Sequence, residues 1–325
     1  MNTVTPPQYL PEPPLAGRHF RAEKFDFWSF FFSGLTGLAT LFILGILAVI
    51  LVNIIINGWS GLSWRFVSTI PSKGLYDMAT TGILPMIIGT TLRVFIMTIF
   101  VIPVGVITAI YLTEYAANTS PVTRIIRAAV NNLAGVPSIV FGLFGLGFFV
   151  NFVGKNLDDL LRNPTAVWGH ESLLWASMTL AVMTLPVVIV ATEESLKAIP
   201  TGLREASLAL GATKLETILR IVLPQALPGI MTGGILAVSR AAGEVAPILF
   251  TGAIASMPYL PHGPTDRFMD LGYHVYVLST QSPNIEQTRP ILYATVLVLL
   301  MLTFALNIVA IVIRARVRKK LRALG

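Results

Sequence analysis

Six long, mostly apolar runs restrict this chain to very few folds. They lie near residues 30–56, 83–113, 129–153, 173–192, 226–255 and 291–313. At about 1.5 Å per residue, a helix of this length crosses roughly 30 Å of hydrocarbon. With 54% hydrophobic and only 12% charged residues, the composition excludes an ordinary soluble globule. The sequence therefore predicts an all-α, polytopic membrane protein with about six transmembrane helices.

The chain divides into four parts on composition. Residues 1–27 are polar and rich in proline, so we expect an extended tail to which no function is assigned. Because the first apolar run follows this tail and is too long for a cleaved signal, we expect it to remain as the first span. Residues 28–81 then hold the first helix and an external loop, 82–313 the membrane core, and 314–325 a basic tail.

The positions of Lys and Arg predict the orientation. Fifteen of the 23 basic residues lie in segments on the same side as the N-terminus, and six lie in the opposite loops. Since basic residues concentrate in cytoplasmic loops, we expect both termini to be cytoplasmic. The net charge of +7 then follows from topology and from anionic lipid at the inner surface, so nucleic-acid binding is not needed to explain it.

One charged segment, residues 205–224, interrupts the apolar pattern between the fourth and fifth runs. Leu215, Ile218, Leu219 and Val222 have the spacing of one apolar helix face. We expect a small-residue turn at residues 205–207, and Gly211 can adopt a positive φ. The segment therefore predicts two short helices joined at a bend, within a loop covering residues 197–224 that we call the coupling loop.

The string E-A-S-x-x-x-G, followed by I-V-L-P, resembles the EAA loop of ATP-binding-cassette (ABC) importer permeases. Ser207 stands where the usual motif has a second alanine. The resemblance implies a type I importer (MetI-like) fold and a loop that inserts into a groove of a cytoplasmic ATPase. The docking residues it implies are Glu205, Ala206, Ser207, Gly211, Ala212, Thr213, Lys214 and Leu215. The alternative is an amphipathic connector on the membrane surface.

The third run contains several residues that interrupt helices. Pro137 removes a hydrogen-bond donor, and Asn132 and Ser138 lie close to it. A broken helix with polar groups suits a substrate pathway, although the glycines also suit tight helix packing. The string N-L-A-G-V-P-S-I-V-F-G-L-F, residues 132–144, resembles the phosphate-specific (Pst) permeases, which favours the pathway.

Arg240 and Glu244 lie four residues apart in the fifth run and are expected on one helix face. A charge in hydrocarbon is costly, so both must face protein or water. A guanidinium fork matches a tetrahedral oxyanion, whereas the alternative role is an ion pair that locks helices together. The string S-R-A-A-G-E-V-A-P also resembles the phosphate-specific permeases, in which the matching pair lines the translocation path.

Arg93 is a second charged residue within a span. It could snorkel to the external headgroups or pair with a partner chain, and we expect snorkelling. In the external segment near residues 256–290, His262 and His274 are too isolated for a metal site and are expected to be solvated.

No P-loop or other catalytic motif occurs, and the chain has no cysteine. We therefore expect no enzyme activity, bound metal or cofactor, with ATP and magnesium used by a partner ATPase. By resemblance to the PstA kind more than the PstC kind, the partners are a PstC-like permease subunit, a PstB-like ATPase dimer, an external PstS-like phosphate-binding protein and membrane lipid. The implied location is the bacterial inner membrane. A permease for sulfate, molybdate or another oxyanion, and a stand-alone proton-coupled carrier, are the alternatives.

Overall fold

The computed structural model describes residues 27–72, 76–77, 80–117, 119–163, 165–257 and 259–322. The proline-rich segment before Phe27 lies outside the described residues. The chain divides into two compact units, Met1–Val52 and Asn53–Gly325. In the first unit, the described residues are helical, and those from 27 to 50 are all exposed. An apolar helix with this exposure needs lipid or another protein around it.

Twelve α-helices occupy the described chain. They are α1 (Phe27–Trp59), α2 (Trp64–Ser68), α3 (Leu84–Ile110), α4 (Pro121–Ala134), α5 (Ser138–Phe144), α6 (Lys155–Leu161), α7 (Leu173–Lys197), α8 (Thr201–Ala209), α9 (Lys214–Thr217), α10 (Leu223–Gly243), α11 (Leu271–Thr280) and α12 (Ile285–Arg322). Short π-helical segments, Tyr111–Tyr115, Gly145–Gly154 and Ile218–Val222, extend α3, join α5 to α6, and join α9 to α10. Among the described residues, the only extended pairing is an isolated parallel bridge between Ala253 and Phe268. The predicted all-α class is confirmed.

Six continuous helical segments of the described chain are long and apolar enough to cross a membrane: Phe27–Trp59, Leu84–Tyr115, Ser138–Leu161, Leu173–Lys197, Lys214–Gly243 and Ile285–Lys320. The predicted number of spans is confirmed. The predicted bounds of two of them are wrong.

The third span begins later than predicted. Residues 121–134 form the separate amphipathic helix α4, and the chain breaks at residues 135–137 before α5 begins at Ser138. The break lies before Pro137, because proline disfavours the α conformation in the residue that precedes it. The predicted interruption is confirmed, whereas the expected span from residue 129 is wrong.

The fifth span ends earlier than predicted. Helix α10 stops at Gly243, and residues 244–255 are not helical, with turns over residues 246–252. Gly243 and Pro247 supply the physical reason, because glycine is a poor helix former and proline just beyond a helix cannot continue it. The apolar run to residue 255 therefore contains a helix end and a turn segment.

Helices α3, α7 and α10 form the centre of the second unit. Their shared apolar core includes Val94, Met97, Val101, Leu180, Met183, Val188, Ala237 and Ala241. The backbones approach closely at Gly105, where an added Cβ would lie 2.6 Å from a methyl carbon of Val188. Small residues at such crossings allow the close packing on which membrane helices depend.

Candidate functional site

The end of α10 presents a half-exposed ion pair. Arg240 is on the last turn of the helix, and its Nε lies 3.5 Å from Oε1 of Glu244. The two side chains are 45% and 24% exposed. Glu244 is the residue after the helix and has extended backbone angles, φ −77° and ψ 129°. The prediction that both residues lie on one helix face is therefore wrong, although their pairing is confirmed.

Two contacts hold this end of α10 in place. Ser239, next to Arg240, donates a hydrogen bond from Oγ to Oδ1 of Asn307 on α12, at 2.7 Å. From α3, the Arg93 guanidinium donates to backbone carbonyls at the helix end, including that of Glu244 at 3.2 Å. These hydrogen bonds therefore fix the backbone at the end of α10, whereas the side chains of Arg240 and Glu244 remain accessible.

The expectation that Arg93 snorkels to headgroups is wrong. Its side chain is fully buried, and its Nη2 lies 3.0 Å from Oδ2 of Asp270, which is also fully buried. A charge without a counter-charge is costly away from water, so an intrachain acidic partner replaces the headgroup. The sequence interpretation did not identify Asp270. An arginine within a span indicates that an acidic residue elsewhere in the chain lies beside it, and this was the available signal.

The three other predicted pathway residues lie at the break before α5. Asn132 is exposed on α4, Pro137 is the exposed N-cap residue of α5, and Ser138 is half-buried at its first position. Among the described residues, no hydrogen bond or ion pair connects these three residues to Arg240 or Glu244.

The break and the ion pair are nevertheless on elements that pack together. A Cβ added at Gly142 of α5 would lie 3.1 Å from the carbonyl oxygen of Ala246, two residues after Glu244. The Ala246 carbonyl could not approach α5 so closely without a glycine here. The structure thus brings the interrupted third span against the segment that follows the ion pair.

The coupling loop forms the predicted bend between two helices. Gly211 has φ +88°, a conformation that glycine adopts without strain, and it separates α8 from α9. Thr213 caps α9 in a capping box with Glu216. The expected small-residue turn at residues 205–207 is wrong, because these residues continue helix α8. Glu205 and Ala206 are good helix formers, so the helix runs through these positions.

The apolar stripe of the coupling loop is only half buried. Ile218 and Val222 pack inward, whereas Leu215 and Leu219 are exposed. Leu210, at the bend, is 90% exposed. The remaining predicted docking positions, Ala212 and Lys214, are also on this loop, where Ala212 helps line a groove of about 570 Å³ with Glu216 and Arg220. The loop therefore offers an unpaired apolar edge beside a groove.

Arg204 ties the coupling loop to two spans. Its Nη2 lies 2.9 Å from Oε1 of Glu114, at the end of the second span, and donates to the carbonyl of Leu196 at 2.8 Å. Its Nη1 donates to the carbonyl of Ile199 at 2.7 Å. A planar guanidinium can make these bonds at once. The sequence interpretation counted Arg204 only as a topological charge, and no local motif identifies Glu114 as its partner.

A second charged cluster lies beside it. Glu193 of α7 accepts from Arg127 of α4 at 2.6 Å and from Lys197 at 2.9 Å. Arg127 also donates to the carbonyl of Leu112 at 2.9 Å. Helix α4 is therefore fastened to the ends of two spans near the coupling loop. The described residues contain no group of His, Cys, Asp and Glu able to hold a metal ion.

Six spans, a projecting bent-helix loop and an accessible ion pair beside a broken span define a polytopic membrane permease. Residues 101–323 match the family described as binding-protein-dependent transport system inner membrane component, and the chain belongs to this family. It is thus a multi-pass inner-membrane permease subunit of an ABC importer.

Two curated relatives illustrate the similarity. The chain is 33% identical to the probable ABC transporter permease protein YqgI of Bacillus subtilis (strain 168), over 90% of this chain and 96% of the relative. It is 34% identical to the phosphate transport system permease protein PstA 1 of Mycobacterium tuberculosis (strain CDC 1551 / Oshkosh), over 64% of this chain and 67% of the relative.

Solved structures share the fold. A chain of the bacterial alginate ABC transporter, in complex with an alginate-bound periplasmic protein, gives a TM-score of 0.62 at 12% identity, covering 86% of this chain and 92% of that one. A chain of the inward-facing MetNI methionine ABC transporter gives 0.51 at 21% identity, covering 73% and 94%. The predicted MetI-like permease fold is therefore confirmed.

Proposed function

We propose that this chain forms half of the translocation pathway of an importer for inorganic phosphate. The observation that carries the proposal is the accessible Arg240–Glu244 pair at the end of α10. The similarity to curated phosphate permeases, such as PstA of Mycobacterium leprae (strain TN) at 36% identity over 55% of this chain, supports the choice of substrate.

The chemistry of the pair fits a tetrahedral oxyanion. Arg240 offers planar N–H donors, and its 3.5 Å contact with Glu244 is longer than a strong charge-assisted hydrogen bond, about 2.7–2.9 Å. A phosphate oxygen can therefore replace Glu244 as the closer partner of the guanidinium. Glu244 stays beside the bound anion and repels it, which favours transient binding over permanent capture.

The coupling loop provides the mechanical link that the proposal requires. The chain has no P-loop, so ATP and magnesium are used by a partner, a PstB-like ATPase dimer. We propose that this ATPase holds the exposed edge around Leu210 and Leu215. Because Arg204 bonds to Glu114 and to the end of α7, a displacement of the loop would be carried into the second and fourth spans.

The remaining parts of the transporter follow from the same proposal. A PstC-like subunit completes the pathway, a PstS-like protein delivers phosphate from outside, and both termini of this chain are cytoplasmic. The basic residues near the end of α12, such as Arg314 and Lys319, contact anionic lipid headgroups at that surface.

The test is ATP hydrolysis by the whole purified transporter with its binding protein, supplied with phosphate, sulfate or molybdate in turn. We expect only phosphate to stimulate hydrolysis. Stimulation by sulfate or molybdate alone would assign another oxyanion, and uptake by this chain alone in liposomes under a proton gradient would establish a secondary carrier.

Two variants test the site. Charge reversal in Arg240→Glu should abolish uptake while the complex still assembles. The matched variant Arg124→Glu changes an exposed arginine on α4 and should retain uptake. Loss of assembly in Arg240→Glu alone would instead support a structural ion pair.

A further inference from the structure

Arg93 of α3 contacts four acceptors from the interior of the second unit through its two terminal nitrogens. Its Nη1 donates to the carbonyls of Ala241 at 3.1 Å and Glu244 at 3.2 Å. Its Nη2 donates to the carbonyl of Ala242 at 3.3 Å and lies 3.0 Å from Oδ2 of Asp270. The two terminal nitrogens thus donate to three backbone carbonyls and lie against one carboxylate, whereas the buried Nε has no hydrogen-bond partner among the described residues.

Three of these acceptors belong to the end of α10. The last carbonyls of a helix have no partner within the helix, and a cation near them is favourable. Arg93 supplies donors to these carbonyls and the positive charge. It also fixes the backbone of Glu244, the residue that leaves the helix and pairs with Arg240.

The fourth acceptor fixes Arg93 itself. Asp270 accepts from Oγ1 of Thr90 at 2.9 Å, and its other oxygen caps α11 by accepting from the N–H groups of Gly272 and Tyr273 at 2.9 and 3.2 Å. Asp270 is therefore held in place by three hydrogen bonds of its own. The guanidinium cannot turn away from α10 without breaking this buried network.

We propose that Arg93 is a positioning residue for substrate transfer, which sets the place of the Arg240–Glu244 pair by holding the end of α10. This inference rests on the proposed function of that pair. Arg93 is itself fully buried, so it acts on phosphate only through the backbone that it holds.

A neutral double variant separates positioning from simple stabilisation. In Arg93→Met alone, Asp270 stays buried without a counter-charge, and we expect poor assembly. In Arg93→Met/Asp270→Asn, no charge is left unpaired and asparagine can still cap α11. Besides the donors to the carbonyls of α10, this double variant loses only the acceptor of the Thr90 hydroxyl.

The experiment compares the double variant with the unmodified transporter in its native membrane. We expect the complex to form within about twofold of the normal amount, because neutral replacements of buried ion pairs are tolerated. Phosphate uptake should fall about tenfold or more, since functional groups must be held within about 0.5 Å. Uptake at the normal rate would overturn the inference.

A thiol probe reports the position of the helix end directly, because the chain has no cysteine. Gly243→Cys at the end of α10 and Gly202→Cys on α8 both place an added Cβ in open space. In the double variant, labelling with a maleimide should become severalfold faster at residue 243 and stay unchanged at residue 202. Equal changes at both sites would indicate general loosening and overturn the inference.

The Arg240→Ala variant distinguishes the proposed pathway role of the ion pair from the proposed positioning role of Arg93. If it retains uptake, the proposed pathway role of the pair is wrong. If it loses uptake while Arg93→Met/Asp270→Asn transports normally, the pathway role stands and only the positioning role of Arg93 is rejected.

Discussion

The buried imidazole of His274 on α11 makes the stability of this protein depend on pH. The side chain is only 1% exposed, and neither ring nitrogen has a hydrogen-bond partner among the described residues. Burial disfavours the charged form and lowers the pKa of His274 from 6.5 to about 4. The expectation of a solvated histidine at this position is wrong, because α11 packs this side of the helix inward.

The sign of the effect follows from linkage. The unfolded chain binds a proton at His274 below about pH 6.5, whereas the folded chain binds it only below about pH 4. The stability contributed by the neutral ring is therefore present above pH 6.5 and is lost as the pH falls from 6.5 towards 4. At pH 5, the loss relative to pH 7 is about 2 kcal/mol, rising to about 3 kcal/mol near pH 4.

The assay is the free energy of unfolding of the purified transporter at pH 7, 6 and 5, compared with His274→Leu. All other groups titrate equally in both proteins, so the difference between their free energies of unfolding reports the contribution of His274 alone. We expect the unmodified protein to lose about 2 kcal/mol more than the variant between pH 7 and 5. His262→Leu, at an exposed histidine, should match the unmodified protein. Parallel pH curves for the unmodified protein and His274→Leu would refute the reasoning.

Three further predictions concern packing and coupling. Gly211→Val places a branched side chain at φ +88°, so we expect a cost of roughly 1–2 kcal/mol in the bend and reduced uptake, with normal amounts of chain in the membrane by immunoblot. Arg204→Ala removes the contacts of the coupling loop with Glu114 and Leu196 on two spans, and we expect severalfold lower uptake with retained basal ATP hydrolysis. Unchanged uptake would show that these contacts do not transmit the movement of the loop. Gly105→Leu drives a side chain into Val188 and should lower the free energy of unfolding by about 1–3 kcal/mol, whereas Gly147→Leu, in open space, should not.

Much of the fold could be predicted from the sequence because lipid restricts the choices. Six apolar runs give six spans, since a backbone in hydrocarbon must satisfy its hydrogen bonds within a helix. Local signals also predict the bend at Gly211 and the break at Pro137. Gly243 and Pro247 are signals of the same kind. The fifth span was nevertheless predicted to reach residue 255, because its bounds were placed by hydropathy alone.

The contacts that complete the site are not local. Arg93 and Asp270 are far apart in the sequence, and each looks like an isolated charge until the fold joins them. Arg204 and Glu114 present the same difficulty. Periodicity identifies faces and ends of helices, whereas charge pairing across the bundle depends on how the spans are arranged in three dimensions.

The burial of Arg93 also has a consequence for biosynthesis. A ribosome that adds about 5–20 residues per second needs on the order of ten to forty seconds to reach Asp270 after Arg93 has been made. Throughout that interval, the newly inserted second span carries a cation whose counter-ion does not yet exist. Until α11 is made, the arginine must therefore be accommodated by the insertion machinery or at the bilayer surface, because its acidic partner is missing.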